Sequence, residues 1–153
     1  MTTRFRYTGL DPKIFEPLFA LTDSDLAARG IQRMTAEPAS PCRITLQDAP
    51  LGESLLLLPF EHQSANTPYR ASGPIFVRQG QAAYDSQDMP PAFRSRLLSV
   101  RAYDAAGTMR DADVVQGTEA ENLFAHLLAE PQTAYLHVHY AKRGCFGGRV
   151  TRA

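Results

Sequence analysis

Leu98-Ser99-Val100-Arg101-Ala102-Tyr103, then Asp104-Ala105-Ala106-Gly107-Thr108, then a return run reaching Val115, is the stretch on which the fold turns. The even positions of the first run are apolar and the odd ones are Ser, Arg and Tyr. A period of two is that of a strand with one buried face. The five residues that follow are of turn type, so the two runs predict a β-hairpin. A link this short joins antiparallel strands, because parallel ones need a long crossover.

Toward the C-terminus, Thr118 with Glu121 three residues on reads as a capping box. Ala120, Leu123, Phe124, Leu127 and Leu128 then fill one face of a helix that Pro131 closes. Ala134 to Ala141 predicts a strand, followed by the glycine-rich Gly144-Cys145-Phe146-Gly147-Gly148 and a short terminal strand. Toward the N-terminus, Phe5-Arg6-Tyr7 opens as a strand, and Asp11-Pro12 starts a helix with an N-cap and a proline at its first position. Pro17 must kink or end that helix, and a second one runs from Thr22 to a stop at Gly30. Strands are expected at Ile31 to Thr35, Arg43 to Leu46, Ser54 to Phe60 and Tyr69 to Arg78, with a brief helix after Pro90-Pro91. Leu55 to Leu58 lacks polar alternation, as in a strand covered on both faces, and Gly73-Pro74 argues for a bulge or an edge position. No βαβ alternation is present. The expectation is an α+β fold, one domain over residues 1–153, with a mainly antiparallel sheet and three or four short helices.

Composition bounds the function. With 44% hydrophobic and 21% charged residues the chain is of globular type, not disordered, collagenous or coiled coil. Sixteen bases balance sixteen acids, which removes the electrostatic case for nucleic acid or an anionic membrane. Two cysteines form no disulfide framework. The longest apolar run, Leu55 to Leu58, falls far short of the roughly 20 residues of a membrane span, and no signal-peptide pattern follows Met1. A cytoplasmic protein is expected. The balance of charge is nonetheless uneven: Lys142, Arg143, Arg149 and Arg152 occupy the last 23 residues with no acid among them.

That basic end carries the strongest chemical signal. In Tyr135-Leu136-His137-Val138-His139 the two histidines share one strand face, with α-carbons roughly 6.5–7 Å apart. Two neutral imidazoles so placed can converge on a metal ion. Cys145, across a glycine turn, and Cys42, in Pro41-Cys42-Arg43, are the first candidates to complete a zinc or similar transition-metal site, with His62 and Glu61 in reserve. His137, His139 and Cys145 can equally serve acid–base or thiol chemistry, since Lys142 and Arg143 beside Cys145 favour a thiolate. Two histidines on a solvated or half-buried sheet face, and an inert buried cysteine, account for the same residues. A second set is arginines: Arg70 and Arg78 share a strand parity with Ser72, and with Arg43 and Arg101 they could line a pocket for a small anion, or pair with surface carboxylates instead. The glycine-rich stretch has neither P-loop nor dinucleotide-binding spacing.

Phe5-Arg6 with Gly9-Leu10, Pro41-Cys42-Arg43 with Asp48-Ala49 and Gly52-Glu53, Pro68-Tyr69-Arg70 with Gly73-Pro74-Ile75-Phe76-Val77-Arg78, Arg101-Ala102-Tyr103, and His137-Val138-His139 with Gly144-Cys145-Phe146 together resemble the bacterial family known as domain of unknown function 1203. The resemblance implies a stand-alone bacterial protein of this size and carries over no activity and no catalytic residue. Two functional expectations follow from the residues: a small enzyme or metalloprotein with its site at His137, His139 and Cys145, or a non-catalytic module that binds a small anion or a protein on an arginine-lined sheet face.

Overall fold

The computed structural model describes residues 4–153. Its strands are β1 (Phe5–Thr8), β2 (Gln32–Thr35), β3 (Ser54–Gln63), β4 (Ala71–Arg78), β5 (Asp85–Ser86), β6 (Leu97–Tyr103), β7 (Met109–Gln116), β8 (Tyr135–Tyr140) and β9 (Phe146–Arg152). The helices are α1 (Glu16–Phe19), α2 (Asp23–Ala28), α3 (Pro91–Arg94) and α4 (Ala120–Ala129). Among the described residues the strands form a six-stranded sheet in the order β5-β1-β9-β8-β6-β7 and a three-stranded sheet in the order β2-β3-β4. Every pairing between named strands is antiparallel. The protein is α+β. None of the described helices is long and apolar enough to cross a membrane.

The β6–β7 hairpin forms as its alternation requires. Leu98, Val100 and Ala102 are fully buried, together with Leu136 and Val138 from β8 and Val150 from β9. This apolar face packs on Phe93 of α3 and on Phe124, Leu127 and Leu128 of α4, the largest of three core clusters. Phe15, Leu26, Leu56, Leu58, Ile75 and Val77 make the second core, under the three-stranded sheet. Gly73 and Pro74 lie on β4, an edge strand, where proline's missing donor costs nothing.

The helix starts at Asp11 and Thr22 behave as read. Asp11 accepts a hydrogen bond from the Lys13 amide at 3.0 Å and Thr22 one from the Asp25 amide at 3.1 Å. Pro17 divides the first helical stretch into a 3-10 turn over Pro12–Ile14 and α1, and sits in the first turn of the latter, where its lost donor was unpaired anyway.

Two local expectations are corrected. Thr118 and Glu121 make no capping box, and α4 begins without a side-chain cap. Gly117 lies against the backbone of α3, so close that an added Cβ would come within 1.9 Å of the Phe93 carbonyl oxygen. That contact fixes the chain in a 3-10 turn over Gly117–Glu119 and leaves Thr118 exposed. Arg43 to Leu46 is not a strand either. It belongs to a tight turn from Pro41 to Asp48, closed by Cys42 N–H to Gln47 O and Leu46 N–H to Cys42 O, with Leu46 at φ 53°. Every residue from Pro41 to Leu46 is buried. The turn is buried because it plugs the space between the two cores, Ile44 entering one and Leu46 the other, and the alternation of these two with Arg43 and Thr45 mimics a strand.

The basic C-terminus has a structural task. Arg152 donates to the carbonyls of Leu128, Glu130 and Thr133. These are acceptors that the end of α4 and the turn after it leave open, and a cation there is also favoured by the helix dipole.

Candidate functional site

Residues of odd number on β6 and β8 face away from the larger core, toward the end of β3. The register sets Arg101 of β6, His137 of β8 and Arg149 of β9 side by side across three adjacent strands. One row along, Ser99, His139 and Phe146 are neighbours. A bulge between Val138 and His139 breaks the β8–β9 register. Because Val138 pairs with Gly148 and His139 with Phe146, Gly147 is the extra residue, and the parity of β9 reverses there. Phe146 therefore joins the histidine face. Cys145, next to it, turns the other way.

A second bulge, between Glu61 and Gln63 of β3, has His62 as its extra residue. His62 enters the same cluster: its ring stacks on Phe146 at 5.3 Å between centroids with 5° between planes, and meets His139 edge-on at 4.9 Å. His137 lies 6.2 Å from His62, 5.0 Å from Phe146, 5.0 Å from Tyr103 and 5.2 Å from Tyr135. Gln63, beside His62, donates to the Tyr135 hydroxyl at 2.9 Å and ties β3 to β8.

The polar atoms of this cluster are poorly partnered. His139 Nδ1 stands 2.9 Å from the Gly144 carbonyl oxygen. Nε2 of His139, Nδ1 of His137 and both ring nitrogens of His62 are buried without any hydrogen bond. Leaving a buried donor or acceptor unmade costs about 1–3 kcal/mol, and these four atoms lie in one place.

Burial is also the main force on their protonation. It pushes His137 down to about 3, helped by His139, His62, Arg149 and Arg101. It pushes His139 down to about 4, opposed by the Gly144 carbonyl and aided by Arg101, His62 and Arg43. His62 is lowered by burial and by Arg101, with the Phe60 backbone acting weakly in the opposite direction. All three imidazoles are neutral near pH 7, and Arg101 is the cation they share.

The remaining sequence candidates divide. Arg70 pairs with Glu61 at 3.1 Å and Arg78 with Glu53 at 2.6 Å, so both have carboxylates of their own. Arg43 is 2% exposed and donates to the Phe146 carbonyl at 2.7 Å and the Pro41 carbonyl at 2.6 Å, its guanidinium over the Tyr140 ring. Cys145 is half-buried beside Arg43 and Tyr140, and Cys42 is fully buried; both thiols are free. Arg101 is half-buried and Arg149 is exposed with its guanidinium 4.4 Å from the Tyr135 ring centroid; neither makes an ion pair among the described residues. Also among the described residues, no group of three or more His, Cys, Asp or Glu side chains is disposed to hold a metal ion. His126 is exposed on α4 and takes no part.

Sequence reasoning under-ranked His62 and passed over Arg149 and Phe146. The Arg149 signal was available: it is the one basic residue of the last strand with the histidine parity when that strand is counted from its C-terminal end.

A family model described as protein of unknown function (DUF1203) matches residues 39–152. No curated protein and no solved structure matches. The matched stretch includes β3, β4 and β6 to β9, hence every residue of the cluster. The chain belongs to the DUF1203 family.

Proposed function

We propose that this member of the DUF1203 family binds a small oxyanion, a carboxylate or a phosphate, on the face formed by Arg101, His137 and Arg149. The observation that carries the reading is the row itself: two guanidiniums flank one imidazole across three strands, and neither has a carboxylate partner among the described residues. Adjacent strands lie about 4.8 Å apart, so the two arginine α-carbons are roughly 10 Å from each other, within reach of two long side chains closing on one ligand. Guanidiniums present paired N–H donors that match the two oxygens of such a group. A neutral imidazole adds a donor without adding charge. Tyr103, Tyr135 and Phe146 wall the site with aromatic surface, which lowers the local dielectric and strengthens each polar contact.

The test is a thermal-shift series with phosphate, sulfate, acetate and citrate at constant ionic strength. A ligand at a hundred times its Kd is expected to stabilise by about 2.7 kcal/mol, a Tm rise of roughly 5–10 °C in a chain of this size. Arg101→Gln and Arg149→Gln are each expected to remove the rise, while Arg70→Gln and Arg78→Gln keep it, since those side chains are already paired. A flat Tm across the whole series, or equal shifts in all four variants, rejects the reading.

A further inference from the structure

We infer that His62 and His139 together hold a transition-metal ion of the zinc class between their rings. The site is separate from the oxyanion row and does not depend on it. The first step is the tautomer of His139. A carbonyl oxygen only accepts, so the 2.9 Å contact to Gly144 requires the proton on Nδ1. In the neutral ring Nε2 is then a bare lone pair, and it is buried without a donor. A histidine whose Nδ1–H is fixed by a backbone carbonyl, with Nε2 open, has the orientation that metal-binding imidazoles take from their surroundings.

The second step is what faces it. His62 comes from the other sheet, at the bulge of β3, and its ring centroid is 4.9 Å from that of His139. Two imidazoles sharing a tetrahedral ion through nitrogens at about 2.0–2.1 Å stand roughly 5 Å apart, centre to centre. Both nitrogens of His62 are buried and make no hydrogen bond, so the two rings do not satisfy one another directly. A single ion takes one lone pair from each ring and so partners His139 Nε2 and one of the two His62 nitrogens.

The chemistry selects the ion. Two uncharged nitrogen donors suit the borderline metals, zinc, cobalt, nickel and copper, and not magnesium or calcium, which take oxygen. No third ligand of the His, Cys, Asp or Glu kind stands ready among the described residues. His137, at 6.2 Å from His62, lies farther off in the arginine row. The ion therefore keeps open positions for water or an anion. Arg101, the cation near both rings, disfavours a bare dication and favours one that carries an anion. Cys145 has no part, because the Gly147 bulge turns it to the Arg43 side.

The experiment uses the full chain without an affinity tag, stripped with chelator and titrated with cobalt(II) in a non-coordinating buffer. One equivalent of cobalt is expected to bind, with visible ligand-field bands, and one equivalent of zinc to displace it. His139→Phe and His62→Phe each abolish the bands, as do His139→Gln and His62→Gln, which preserve polarity; circular dichroism reports that each variant is folded. Cys145→Ser and Arg70→Gln, the latter already paired with Glu61, keep one equivalent. Failure to bind cobalt or zinc at millimolar concentration overturns the inference, and so does binding that survives loss of either histidine or disappears with Cys145→Ser. The oxyanion reading is judged independently, by its thermal shift in the metal-free protein.

Discussion

Between pH 6.5 and pH 4 the metal-free protein is expected to lose on the order of 6 kcal/mol of stability through His137 and His139 alone. In the folded chain these rings stay neutral until about 3 and about 4, whereas in the unfolded chain they take up a proton near pH 6.5. Over the interval the unfolded state holds the extra protons, so stability rises with pH and falls on acidification. Each ring contributes about 1.4 kcal/mol per pH unit, and two give about 3. A domain of this size has roughly 5–15 kcal/mol to lose, so unfolding near pH 4 is expected without added denaturant or heat. His62 acts in the same direction. Urea titrations at pH 7.5, 6.5, 5.5 and 4.5 measure the slope. The double variant His137→Phe/His139→Phe is expected to flatten it, leaving the part that belongs to carboxylates. Parallel pH curves for the two proteins would show that the imidazoles are not buried neutral, and the site as described would be wrong.

The second large effect is expected at Arg43. Replacing it by methionine keeps most of the side-chain volume and removes the guanidinium that bridges the Pro41 turn and β9 through the Pro41 and Phe146 carbonyls. Two buried acceptors are then left unmade, at about 1–3 kcal/mol each. Some of this is returned because a cation with no carboxylate beside it no longer has to be buried; that burial lowers the Arg43 pKa. The net expectation is a loss of about 2–4 kcal/mol, a large share of the total. The same variant separates structure from binding. Its thermal shift with an oxyanion is expected to equal that of the parent, since Arg43 bonds carbonyls between the sheets and lies outside the Arg101–His137–Arg149 row. A parent-like urea midpoint would remove the bridging role, and a lost anion shift would return Arg43 to the ligand site.

Much of this architecture was legible because its causes are local. Alternation over Leu98 to Tyr103 and Tyr135 to Tyr140 fixes which side chains meet α4 and which face away, and it puts both histidines on one face; the β6–β8 register then adds Arg101 to them. Turn residues after Tyr103 fix the hairpin, and the caps at Asp11 and Thr22 need only the next three residues. Where local pattern and structure differ, the cause lies far along the chain. Arg43 to Leu46 looks like a strand because Ile44 and Leu46 alternate with Arg43 and Thr45, yet all four are buried in a turn between two sheets. Thr118 and Glu121 have the capping pattern, yet Gly117 pressed on the Phe93 carbonyl directs the chain elsewhere. Arg70 and Arg78 look available until Glu61 and Glu53, nine and twenty-five residues away, are placed beside them.

The site shows the same division in one element. Residue order alone is enough to put His137 and His139 on one strand face, to place Arg101 on an alternating strand of the same kind, and to gather four bases and no acid into the last 23 residues. That His62 and not Cys145 joins them follows from the pairing of distant strands. With unbroken alternation back from Arg149, Cys145 would lie on the histidine face and Phe146 on the other. One extra residue, Gly147, reverses that order, and a Cβ there would come 3.0 Å from the Tyr140 ring. Side-chain period is a property of two successive residues, so a strand announces it; register between strands is a property of the pair, and a bulge leaves no mark on either strand's own pattern.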